Sequence, residues 1–202
     1  MKLIFHGHDE RYVVEQSLMA LFPGELPVYE PAAPGDDARA EITCDEASDY
    51  LVVTCDLFYH GASGVYTYGA PLSGSEFDRE GQRRHAIGAC FYLARREMGL
   101  PDLPWGMLTG VRPDKPVTQA LAAGKSPDEV RTMLEAEYFV TPSRAALALE
   151  TGTAALEAAR DLSPRDIAVY VGIPFCPTRC AYCSFVSQSC LLYTSDAADD
   201  LI

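Results

Sequence analysis

Three cysteines, Cys176, Cys180 and Cys183, fall within eight residues in a C-x₃-C-x₂-C spacing, and nothing else in the chain constrains it as strongly. The apolar, β-branched run from Ile167 to Ile173 leads straight into them, and Pro174 and Pro177 interrupt it. Such a run reads as a short buried strand, stopped by the prolines and continued as a loop. Three thiolates on one tight loop can bind three corners of a cubane [4Fe–4S] cluster, which leaves the fourth iron without a protein ligand. An open iron can chelate a small molecule, which a four-cysteine cluster cannot do. Zinc competes for the same spacing, but structural zinc usually takes four ligands in two paired clusters, and there is no second C-x₂-C. His6, His8, His60 and His85 all lie far from the loop in sequence. A disulfide is the third assignment, and the start of the chain, Met1 to Gly7, has no secretory apolar region to favour it.

The flanking residues narrow the choice. Tyr170-Val-Gly-Ile-Pro-Phe-Cys176 before the loop and Tyr182-Cys-Ser-Phe185 at its end resemble the radical S-adenosylmethionine (SAM) signature. The resemblance is to the oxygen-independent coproporphyrinogen oxidase branch, most closely to its HemZ-type coproporphyrinogen dehydrogenases. A second segment, Leu108-Thr-Gly-Val-Arg-Pro113, is similar to one that this family carries ahead of its radical SAM domain. The resemblance implies a [4Fe–4S] cluster on Cys176, Cys180 and Cys183, with SAM held on the open iron by its amino and carboxylate groups. It matches Tyr170 to the tyrosine that contacts cluster-bound SAM. It matches Tyr182 to the aromatic residue that contacts a second SAM in the oxidases proper. The implied reaction is oxidative decarboxylation of coproporphyrinogen III to protoporphyrinogen IX, for haem synthesis, with an electron donor such as flavodoxin or ferredoxin. In such an enzyme the cofactors carry the chemistry, and the protein supplies ligation and orientation. Gly172 departs from the oxidases proper, which have histidine there, so the likeness is closer for the cluster ligands than for substrate contacts. Relatives with the same loop also act as haem carriers or radical SAM methyltransferases, and these alternatives diverge in the barrel. A carrier needs an axial ligand, and none of the four histidines is specially placed for that.

Composition removes other classes. The net charge of −13, from 16 basic and 29 acidic residues, argues against a general nucleic-acid surface. No run approaches the roughly 18 apolar residues of a membrane span, so a cytoplasmic location is the default expectation. Residues 190–202, Cys190 to Ile202, do not match the character of what precedes them. They resemble a translated sequencing adapter and are expected to be a non-native tail, which would make the chain a fragment, itself inactive.

The expected architecture is an α+β N-terminal domain over residues 1–162. The first strand and cluster loop of a truncated radical SAM (β/α) barrel follow over 163–189. Within the first domain, Met1 to Phe5 reads as a strand and the stretch to Leu21 as a helix with Tyr12, Val13, Gln16, Leu18 and Leu21 near one stripe. Ala38 to Cys44 and Tyr50 to Tyr59 read as an antiparallel pair carrying Cys44 and Cys55, small core residues rather than a bridge. Gly61 to Gly64 reads as a turn, and Glu76 to Met98 as a helix ended by Gly99 and Pro101. Arg83, Arg84, Arg95 and Arg96 read as a solvated helix face. Pro113 suits the first turn of a helix reaching Ala123, and Ser126-Pro-Asp-Glu129 is a capping box for the next. A third helix from Pro142 to Leu162 closes the domain.

Overall fold

Apolar residues at every second position build the sheet that the first unit rests on. The computed structural model describes residues 1–176 and 188–189, apart from 32, 34, 111, 161, 164, 168, 173 and 174. The chain divides into two units, Met1–Asp161 and Leu162–Ile202. In the first, β2 (Ala38–Ala47), β3 (Tyr50–Tyr59) and β4 (Ala62–Pro71) form an antiparallel meander. β1 (Lys2–His6) pairs with β2 in parallel, giving the order β1-β2-β3-β4. A parallel pair needs a crossover, and α1 (Arg11–Leu21) supplies it. Ile42 and Cys44 of β2 and Leu51, Val53, Cys55 and Leu57 of β3 are buried, whereas Glu41, Thr43, Thr54 and Asp56 alternate with them on the other face. One face of the sheet is therefore core and the other is wet.

α2 (Glu76–Glu97) lies across β3 and β4 on the core face, and α1 packs beside it. Its start is fixed by a capping box in which Ser75 and Asp78 exchange hydrogen bonds. Phe91, Tyr92 and Ile87 are its large buried side chains. The helix can come this close because β4 carries Gly64, where a Cβ would stand 2.1 Å from the carbonyl oxygen of Ala94. The turn expected over Gly61–Gly64 is thus shorter than its composition suggested. It consists of His60 and Gly61, both at positive φ (47° and 85°), and Gly64 belongs to the strand. The buried side of α1 is also rotated from the expected stripe: Val14, Ser17, Leu18 and Leu21 face the core, and Tyr12 is exposed.

The arginines of α2 do not form one patch. Arg95 is buried, donating to the carbonyls of Leu21 (3.0 Å) and Pro101 (2.7 Å), while Arg96 pairs with Asp102 at 3.1 Å. Arg79 and Arg83 grip the β2–β3 hairpin. Arg79 donates to Asp49 (2.7 Å) and to Glu46 (3.0 Å), and Arg83 donates to Glu46 (2.7 Å) and Glu76 (2.7 Å). These hydrogen bonds, Arg83 first and then Arg79, hold the Glu46 carboxyl down at about 2, from an ordinary value of 4.5. A folded pKa below the unfolded one contributes stability that is complete above the ordinary value and is lost as pH falls through the folded value. The melting temperature is therefore expected to decline between pH 4.5 and about 2. Glu46→Gln should show a shallower decline over that window in thermal melts. Equal slopes in the two proteins would assign the acid sensitivity to other groups.

A second core sits under α3 (Lys115–Ala122), α4 (Pro127–Ala136) and α5 (Pro142–Arg160), around Val117, Val130, Leu134, Val140 and Ala145. α3 starts two residues later than Pro113 suggested, with Pro116 in its first turn, because Pro113 lies outside the helix. The Ser126–Glu129 capping box is formed as its spacing requires. Tyr138 packs against both cores.

In the second unit the apolar run before the cysteines departs from expectation. Its described residues Ile167, Val169, Tyr170 and Val171 lie outside any strand and are 77–85% exposed. Among the described residues none shares a backbone hydrogen bond with them, and an unpaired run stays solvated. Pairing begins later, where β5 (Phe175–Cys176) meets β6 (Gln188–Ser189) in parallel.

Candidate functional site

Of the three clustered cysteines, Cys176 is the one within the described residues. It is a free, half-buried thiol at the end of β5, in register with Ser189 of β6. That pairing sets Phe175 and Cys176 beside Gln188 and Ser189. Cys180, Cys183 and Tyr182 lie outside the described residues. Tyr170, six positions before Cys176, is 84% exposed, with its ring edge 3.1 Å from where a Cβ on Gly172 would be.

The other described thiols differ in kind from Cys176. Cys44, Cys55 and Cys90 are buried in the first core, where burial pushes the Cys44 thiol up to about 12. Hydrogen bonding with Cys90, and then burial, raises Cys55 as well. Cys90 Sγ lies 3.3 Å from the Val53 carbonyl oxygen and 3.2 Å from that of Tyr66. Metal ligation needs thiolate, so a thiol titrating near 12 is a poor ligand at neutral pH. Cys44 and Cys55 also do not face each other across the hairpin, since Cys44 pairs with Val53 and Cys55 with Ile42. They remain separate core residues.

His6 and His8 are engaged elsewhere. His6 Nε2 is 2.7 Å from Glu41 Oε1. His8 Nδ1 accepts the Glu10 N–H at 3.2 Å, which leaves Nε2 to donate to the Ile42 carbonyl at 3.3 Å. Burial lowers the His8 pKa, so the ring is a neutral structural bridge at the end of β1. Among the described residues, no three His, Cys, Asp or Glu side chains come together to hold a metal ion. The donor set that fits a cluster is thus the loop's own: an unbridged, accessible thiol at Cys176 and two further cysteines at spacings of four and three.

No family model matches the chain, and no solved structure matches it. A curated protein does. The chain is 39% identical over 83 residues to the oxygen-independent coproporphyrinogen-III oxidase-like protein HemZ of Bacillus subtilis (strain 168). The match covers 40% of this chain and 17% of that protein, so the chain spans a small part of the relative's length. This supports, at the family level, the resemblance carried by the motifs. Among the described residues no helix is long and apolar enough to cross a membrane.

Proposed function

We propose that this chain is part of a radical SAM oxidoreductase that oxidatively decarboxylates coproporphyrinogen III. The observation that carries the reading is the C-x₃-C-x₂-C loop with Cys176 as a free thiol, apart from the buried thiols of the core. The partial identity with HemZ supports it. Cys176, Cys180 and Cys183 would hold three irons, leaving the fourth for SAM. When bound, the cluster and SAM supply one-electron chemistry that ends in hydrogen abstraction from a substrate propionate. The chain's own residues ligate, orient and shield. The backbone pairing of Cys176 with Ser189 narrows the loop's closure, so less ordering remains when the thiolates gather. Tyr170 and Tyr182 flank the cysteines and are proposed SAM contacts; the solvent-facing ring of Tyr170 is free to turn onto a ligand. A reduced flavodoxin or ferredoxin is the proposed electron source, and the remainder of a (β/α) barrel is the proposed setting.

The test is anaerobic turnover by the full-length protein that contains this chain. Methionine release from SAM should depend on added coproporphyrinogen, with loss of carbon dioxide. A cluster-loaded protein that leaves SAM intact and instead binds haem stoichiometrically would replace the enzyme reading with a carrier.

A further inference from the structure

Apart from the cysteine loop, the first unit contains a groove that the proposed reaction does not use. Two glycines of α2, Gly81 and Gly88, stand seven positions apart, two helical turns, and face it. A Cβ at Gly81 would meet nothing within 4 Å, and one at Gly88 would meet only Met107 Cε (3.1 Å) and Ser17 Oγ (3.9 Å). The missing side chains leave a trench of about 270 Å³ between α1, α2 and the turn that carries Met107, Leu108 and Thr109. That volume lies just below the usual range of about 300–1,000 Å³ for small-molecule sites, which suits a ligand of one or two rings.

Among the described residues, no hydrogen bond engages the side chains of Ser17, His85 or Tyr138 in the trench wall. Ser17 is 2% exposed and lines the trench, yet no described residue shares a hydrogen bond with its hydroxyl, and that oxygen is not sealed from solvent. His85 meets Tyr138 edge-on, with ring centroids 5.0 Å apart, and both rings line the wall. Burial lowers the His85 pKa, so the imidazole offers one donor and one acceptor instead of a positive charge. Arg84, the one cation among the described lining residues, is already paired with Glu80 and stands 3.9 Å from Glu10. Glu137 adds negative field at both His85 and Tyr138. Aromatic edges, a thioether, unpaired hydroxyls and a negative surround together disfavour a phosphate or carboxylate. They favour a flat, neutral ring with hydrogen-bonding edges.

From this geometry we propose that the trench between α1, α2 and the Met107–Thr109 turn binds an uncharged planar heterocycle of purine-base size, with Ser17 as its buried polar anchor. All of its lining residues belong to the first unit. It gives Leu108 and Thr109, at the start of the Leu108–Pro113 segment and without a place in the proposed reaction, a concrete role in one wall.

The test is a titration of the full chain with adenosine, followed in amide correlation spectra. Shifts are expected at Gly81, Gly88, Met107 and Thr109, and AMP should bind more weakly because of its charge. Ser17→Val keeps the shape and removes the hydroxyl, and should weaken binding about tenfold, the cost of one lost buried hydrogen bond. Because Ser17→Val alters a core-facing position, Gly81→Leu provides a second arm. It projects into open space on an exposed helix turn, should leave the fold intact or firmer, and should abolish the shifts. Absence of shifts near the trench at adenosine concentrations on the order of millimolar overturns the proposal. So does AMP binding as tightly as adenosine, or shifts that survive Gly81→Leu. Protection of the same amides only by a protein partner would reassign the trench to a docking groove and also overturn it.

Discussion

Replacing Cys176, Cys180 or Cys183 singly with alanine is expected to drop the iron and sulfide of the anaerobically reconstituted chain from cluster stoichiometry to background. A [4Fe–4S] cluster bound through three thiolates has no spare protein ligand, so removal of one leaves a second iron open and the cluster free to dissociate. The same replacement at Cys44, Cys55 or Cys90 should leave the iron content unchanged. Those thiols are buried, and with Cys44 titrating near 12 its thiolate fraction at neutral pH is roughly one in 10⁵. The two sets therefore separate ligation from folding: the core replacements lower the melting temperature and keep the cluster, whereas the loop replacements do the reverse. Visible absorbance, iron and sulfide analysis and the electron paramagnetic resonance of the reduced protein read the result. Stoichiometric zinc without iron in the unmodified chain, or iron loss on replacing Cys44, would sink the three-cysteine assignment.

The parts of the structure legible in the sequence were those governed by local chemistry. The capping box at Ser126 and Glu129 involves residues three apart, and the alternation from Ala38 to Cys44 in β2 is a property of one segment, so both emerged as expected. Gly64 shows the opposite case. Its composition with Gly61 reads as a turn, but its position is set by the Ala94 carbonyl, thirty residues away, which needs a strand without a side chain. The run around Val169 reads as buried because it is apolar, yet burial requires a neighbouring strand that its own residues do not encode. The same division holds at the candidate site. The cysteine spacing announces a donor set, whereas the two-residue pairing of Cys176 with Ser189 has no periodicity to read. The trench is assembled from α1, α2 and a turn, so Ser17 and Gly88 carry no local sign of belonging together.

Gly106→Ala should be the most destabilising single-methyl addition in the first unit. Gly106 has φ +56°, and a Cβ there would lie 2.0 Å from the Tyr138 carbonyl oxygen and 2.5 Å from the Phe139 carbonyl carbon. Both obstacles are backbone, so neither can swing aside as a side chain could. They are also held in place. Met107 N–H donates to the Tyr138 carbonyl at 2.9 Å, and the backbone N–H and hydroxyl of Thr141 donate to the Pro104 carbonyl at 3.1 and 3.0 Å. Phe139 is itself at φ +58° and stacks on Tyr92 at 4.9 Å, which ties this junction to the first core. Tyr138 and Val140 tie it to the second. A left-handed conformation costs alanine about 1–2 kcal/mol, and forcing atoms into filled space costs about 1–3 kcal/mol more. The sum, roughly 2–5 kcal/mol, corresponds to a fall in melting temperature of about 5–15 °C for a unit of this size. Gly99→Ala is the matched comparison, because Gly99 has φ +75° but nothing within 4 Å of its would-be Cβ. It should show the conformational cost alone, about 1–2 kcal/mol. Equal losses in the two variants would mean that the steric contact at Tyr138 and Phe139 is not what joins the cores. A larger loss in Gly106→Ala, accompanied by faster hydrogen exchange at the Met107 amide, would place the junction there.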